Sequence, residues 1–156
     1  MILYHGSPAI VSAPDVFRSR DCVDLGKGFY ATPLRERAVH WCQRFMRTGA
    51  AYLNVYDLDE RAFSRFSVLQ FESYSEPWLD FVMSCRSGQD QSSYDLVMGG
   101  VVDDWIFNTI ELFLEGLISK REALNRLMFE KPNCQLCIRN QTVIDECLRF
   151  AGSERM

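Results

Sequence analysis

The chain has 156 residues, of which 47% are hydrophobic, 24% charged and 13% aromatic, with a net charge of −4 and an isoelectric point near 5.2. That length suits one domain, residues 1–156, able to bury its own core, and the aromatic content excludes a disordered chain. The acidic balance excludes a broad nucleic-acid footprint, and no window approaches the ~20 apolar residues of a membrane span.

Met1-Ile2-Leu3-Tyr4 predicts a strand that stops at His5-Gly6-Ser7-Pro8, a strand end of the kind that often carries a site. No basic region precedes a long apolar run, so no secretory signal is expected. The six cysteines then read as reduced thiols of a cytoplasmic protein. Residues 9–24 show no clean period and include Pro14, which predicts a loop able to cover a pocket.

The most distinctive stretch follows, Leu25-Gly26-Lys27-Gly28-Phe29-Tyr30-Ala31-Thr32-Pro33. Its glycines let the backbone turn tightly or admit a ligand, and Phe29-Tyr30-Ala31 predicts a short strand. Lys27 is followed by Gly28 instead of Ser or Thr, so the phosphate-binding loop pattern fails. The dinucleotide fingerprint fails too, for want of a third glycine.

Thr32 and Pro33 predict the cap and first position of a helix that runs to Thr48, with Leu34, Ala38, Trp41, Cys42 and Phe45 on its apolar face and Gly49 after its end. Arg35, Arg37, Arg44 and Arg47 form a basic face, either solvated or set to meet phosphates. Residues 51–58 and 66–71 predict two strands, neighbours in a sheet. Ser75-Glu76-Pro77 opens a helix carrying Trp78, Leu79 and Val82, which ends in a polar loop.

Residues 94–102 predict a strand interrupted at Gly99-Gly100, and Asp103-Asp104 favours a helix start. That helix stops at Gly116, and Ser119-Lys120-Arg121-Glu122 is a capping box for its hairpin partner, which Pro132 closes. Residues 135–138 predict a short strand, and Val143, Ile144, Cys147, Leu148 and Phe150 predict the face of a last helix. Cys134-x-x-Cys137 lacks a second pair, and only His5 and His40 are available as histidine ligands, so no metal site is predicted.

Three strand ends therefore present polar side chains, His5, Tyr30 and Gln135. Tyr4-His5-Gly6-Ser7, Gly26-Lys27-Gly28-Phe29-Tyr30-Ala31 and Asn133-Cys134-Gln135-Leu136-Cys137-Ile138 resemble, in order and character, the three signature motifs of the ADP-ribosyltransferase superfamily. The likeness is to its poly(ADP-ribose) polymerase and diphtheria-toxin-like branch, whose catalytic triad is His, Tyr, Glu. The whole chain is also similar to a small bacterial domain family with that fold, for which Tyr94-Asp95-Leu96-Val97 and Val102-Asp103-Asp104 are typical runs.

The resemblance implies an α+β fold with a split, mixed β-sheet core and flanking helices, and NAD as the substrate. His5 would bond the adenine-side ribose, the backbone of Gly6 would grip the nicotinamide amide, and Ser7 and Gly28 would border the cofactor. Tyr30 would stack on the nicotinamide ring, with Trp41 against its other face. ADP-ribose would pass to an intracellular protein or nucleic acid, as in a bacterial toxin or defence effector held in check by an antitoxin protein.

The chain departs from the pattern at Gln135, which stands where that branch has glutamate. An amide can hydrogen-bond a ribose hydroxyl but carries no charge and cannot act as a base. Slower transfer, an acceptor that is already nucleophilic, a carboxylate such as Asp103, Asp104 or Glu111, or a catalytically silent module that binds NAD or ADP-ribose or serves protein interaction all remain open. Each side chain also has a structural use: His5 to bond a strand-end carbonyl, Tyr30 and Trp41 to pack, Gln135 to face solvent from an alternating strand.

Overall fold

The computed structural model describes residues 1–47, 49–102, 104–128 and 133–156, with Asp104 described in its backbone only. Thr48, Asp103 and Pro132, which the sequence marks as a helix end, a helix start and a hairpin closure, lie outside the described residues. In chain order the elements are β1 (Ile2–Ser7), β2 (Phe29–Ala31), α1 (Arg35–Met46), β3 (Tyr52–Leu58), α2 (Ala62–Arg65), β4 (Val68–Gln70) and α3 (Glu76–Arg86). They continue with β5 (Leu96–Gly99), α4 (Asp104–Leu114), α5 (Lys120–Leu127), β6 (Gln135–Ile138), α6 (Gln141–Cys147) and β7 (Leu148–Arg155).

The strands form two sheets, so the class is α+β with mixed pairing. One is antiparallel in the order β1-β3-β7, and the other runs β2-β6-β5-β4 with a single parallel pair, β4 on β5. Their backbones are bridged where Tyr4 N donates to Thr32 O at 2.8 Å and Thr32 N donates to Tyr4 O at 3.0 Å. Past that bridge the two sheets separate.

Alternation explains why the second sheet is so apolar. Leu96, Leu136 and Ile138 point into a cluster with Phe29 of β2 and with Leu3 and Tyr56 from the first sheet, while Val97 and Cys137 point the other way. There they meet Trp78 and Leu79 of α3, Ile106 and Ile110 of α4, and Leu127 of α5. Both faces of β5 and β6 are thereby buried, which suits their β-branched and apolar residues.

Helix starts follow local chemistry. Ser75 Oγ accepts from Trp78 N to cap α3, and Ser119 Oγ accepts from Glu122 N at 3.2 Å to cap α5. The α1 start differs from expectation. Thr32 is committed elsewhere, donating its hydroxyl to Cys134 O at 2.6 Å and accepting from Leu34 N, so the helix begins at Arg35 with no side-chain cap.

Two further expectations are overturned. β3 and β4 are not neighbours: β3 lies central in the first sheet, and β4 edges the second beside β5. The last helix ends at Cys147, and Leu148 and Phe150 belong to β7, an eight-residue strand paired with β3. Between Val55 and Tyr56 the register shifts, leaving Ala151 as the extra residue of a bulge.

Candidate functional site

Where the sheets part, a cavity of about 510 Å³ opens, within the size range of small-molecule pockets. His5, Gly6, Gly28, Tyr30, Trp41 and Gln135 all line it, brought together from β1, β2, α1 and β6 and the turn before β2. Ser7 does not. Its hydroxyl donates to Ala9 O and accepts from Asn54 Nδ2 at 3.0 Å, fastening the turn after β1. The irregular segment between β1 and β2 supplies another wall, through Asp15, Arg18, Arg20 and Asp24 among others.

That wall is tied down. Val11 N donates to Asn54 Oδ1, Tyr56 OH donates to Val11 O, and Gln141 holds both Pro14 O and Val16 N. The buried Asn54 and Tyr56 on β3 thus spend their polar atoms on holding the loop beside the cleft.

His5 Nδ1 lies 2.7 Å from Tyr30 O. A carbonyl can only accept, so Nδ1 carries the proton and Nε2 is left as an acceptor. No hydrogen bond to Nε2 occurs among the described residues. Burial lowers the His5 pKa, against a smaller opposing effect of the Tyr30 carbonyl, so the neutral imidazole is favoured. The ring packs at 4.9 Å, centroid to centroid, on Phe29.

Tyr30 donates its hydroxyl to Gly26 O at 2.6 Å and accepts from Leu25 N at 3.0 Å. Burial drives its phenol far above the usual range, so the ring is neutral. Those bonds fix the ring and clamp the glycine turn, in which Gly26 has φ +83°.

Strand geometry gives Gly6 a particular role. Because the N–H and C=O of Tyr4 both face β2, those of Gly6, two residues on, also point away from β3. They find no backbone partner among the described residues. The edge of β1 therefore offers the cavity one unpaired donor and one unpaired acceptor.

The glycines are also structural. A Cβ on Gly6 would stand 2.6 Å from Ala38 O and 2.9 Å from Cys42 Sγ, and one on Gly28 would stand 2.4 Å from Ile138 O. Their absence of a side chain lets α1 lie on β1 and β2 approach β6.

Trp41 departs from the expected apolar stripe of α1. It is 38% exposed, and the Arg44 guanidinium carbon lies 4.1 Å from the ring centroid, covering one face. Ala38 and Cys42 do the packing instead. Gln135 opens β6, paired with Gly99, and brings only a neutral amide to the cavity. Of the carboxylates raised as substitutes, Glu111 lies on an adjoining cavity, Asp103 is outside the described residues, and the Asp104 side chain is likewise not described.

Cys137 is wholly buried, with its Sγ against Gly26 O and its thiol pushed up to about 12 by burial. Its role is packing under the glycine turn. Among the described residues no cluster of three His, Cys, Asp or Glu side chains forms.

A model of the family described as "Protein of unknown function (DUF3990)" matches residues 1–150. The chain belongs to that family. The matched span of this DUF3990 chain includes every residue named above as lining the cavity. No curated protein matches it. No described helix is long and apolar enough to cross a membrane.

Asp24 is one of the wall residues, with Asp15, Arg18 and Arg20, that sequence reasoning missed. It stands directly before Leu25-Gly26, inside a segment read only as loop, and nothing local signals its partner Arg86, which is 62 residues away.

Proposed function

We propose that the cleft between the two sheets binds NAD and that the chain is an ADP-ribosyltransferase, with the split-sheet core of that superfamily. The observation that carries this is the convergence of His5, Tyr30 and the unpaired backbone edge of Gly6 on one cavity. A carboxamide presents an acceptor oxygen and N–H donors, one of each complementing the Gly6 N–H and C=O without adding charge. A neutral aromatic wall at Tyr30 suits a flat pyridine ring, and the His5 Nε2 acceptor suits a ribose hydroxyl.

Charge also supports the reading. Arg18, Arg20, Arg37 and Arg44 line the cavity against Asp15 and Asp24, an excess of two cations in a chain of net charge −4. Such a local excess attracts a dianionic pyrophosphate. On this account ADP-ribose passes to an intracellular macromolecule, and control by an antitoxin protein belongs to the same proposal.

Gln135 favours a second reading, a module that binds NAD or ADP-ribose without reacting. Incubation of the pure chain with NAD, following free nicotinamide together with the NAD-induced rise in melting temperature, separates the two. Release with stabilisation supports the transferase. Stabilisation alone supports the binder, and neither effect overturns both. Gln135→Glu is expected to increase release where the neutral amide limits turnover.

A further inference from the structure

A second cavity of about 580 Å³ adjoins the first, and Arg20, Val23, Asp24, Trp41, Arg44 and Val102 border both. Among the described residues Asp24 is the one carboxylate shared by the two: Asp15 lines only the first, and Asp21 and Glu111 only the second. We infer that Asp24 is the catalytic carboxylate of this site, standing between the NAD cleft and the neighbouring cavity through which the nucleophile arrives. This assignment rests on the NAD-cleaving reading of the cleft.

The geometry distinguishes Asp24 from its rival. Asp15 spends Oδ1 on Phe17 N, capping a short turn, and its Oδ2 lies 3.8 Å from Arg18 Nε. Asp24 is held through a single oxygen. Arg86 Nε donates to Oδ1 at 2.8 Å and Arg86 Nη2 approaches the same atom at 2.7 Å, whereas Oδ2 has no hydrogen-bond partner among the described residues. Arg86 is in turn braced by Glu111 at 2.9 Å and by its position 4.8 Å from the Phe107 ring centroid.

A carboxylate fixed by one oxygen and open at the other is suited to meet a developing cation or to receive a proton. Burial raises the Asp24 pKa in spite of Arg86 and Arg20, which strengthens the group as a base. In the reaction the C1′–N bond breaks with its electron pair leaving on nicotinamide. With water as acceptor, the water oxygen forms the new bond to C1′ and the displaced proton passes to Asp24 Oδ2. A hydroxyl of a macromolecule entering from the second cavity would follow the same course.

The test compares wild type, Asp24→Asn, Asp24→Glu and, as a control, Glu122→Gln for nicotinamide release and for the NAD-induced thermal shift. Asp24→Asn is expected to keep the shift and lose about 100-fold or more in release, the usual scale for a removed acid–base group. Asp24→Glu is expected to recover part of the rate. Glu122→Gln removes a carboxylate that pairs with Arg126 on α5 and lines neither cavity, and is expected to keep release within about 3-fold, well short of that scale. If Asp24→Asn alone does not fold, Asp24→Asn with Arg86→Gln removes both charges together and carries the same expected loss.

Release by Asp24→Asn close to that of wild type would overturn the assignment, as would an equal fall in Glu122→Gln. Wild type that is stabilised by NAD but releases no nicotinamide would overturn it while leaving the binding cleft intact. Absence of any NAD-induced shift in wild type would instead remove the proposed function itself.

Discussion

The 2.7 Å contact between His5 Nδ1 and Tyr30 O ties β1 to the centre of β2, beside the Tyr4–Thr32 backbone bridge that joins the sheets. One hydrogen bond thereby fixes a tautomer and the spacing of two cleft walls. It also has a pH signature. The folded His5 pKa is lowered by burial, so its contribution to stability is complete above the unfolded value of about 6.5 and is lost as pH falls through the folded value. Melting temperature followed from pH 7.5 to pH 5 is expected to fall more steeply for wild type than for His5→Gln. Equal slopes would contradict the buried, neutral histidine.

Tyr30 separates support of the fold from contact with ligand. Tyr30→Phe loses the bonds to Gly26 O and Leu25 N but keeps the ring. At about 1 kcal/mol net per bond, urea unfolding is expected to show a loss of about 2 kcal/mol. The NAD-induced thermal shift is expected to survive in Tyr30→Phe and to collapse in Tyr30→Ala. An undiminished shift in Tyr30→Ala would count against the pocket.

Gly6 and Gly28 are predicted to reject a methyl group for reasons of packing. Gly6→Ala would press against the Ala38 carbonyl and Cys42 Sγ, and Gly28→Ala against the Ile138 carbonyl, all on elements fixed by their own hydrogen bonds. Each is expected to cost about 1 to 3 kcal/mol in urea unfolding, the usual scale of overpacking. By comparison, Gly49→Ala meets nothing within 4 Å and is expected to be near neutral.

Much of the fold is legible where local chemistry is strong. Ser75 and Ser119 mark their helices by the caps they form, and His5, Tyr30 and Gln135 all line the cavity, although β1 does not stop at His5 as expected but runs on to Ser7. β7 is hidden because Leu148 and Phe150 continue the α6 pattern, and no glycine or proline separates Cys147 from Leu148. Their spacing of two fits the strand, and only pairing with β3 decides it. The sheet membership of β4 and the Asp24–Arg86–Glu111 group depend on contacts distant in sequence, which periodicity does not encode. Trp41 shows a different limit. At the margin of a helical stripe, a large side chain can turn out over Arg44 while the small Ala38 and Cys42 pack against β1 and β3.

The most direct test of the cleft is the amide resonance of Gly6 in a titration of isotopically labelled chain with nicotinamide. Its N–H faces the cavity with no backbone partner among the described residues, so capture of the carboxamide is expected to move that resonance downfield and in step with those of Tyr30 and Trp41. A Gly6 resonance that stays fixed at saturating nicotinamide, or shifts confined to residues remote from the two sheets' junction, would contradict the account.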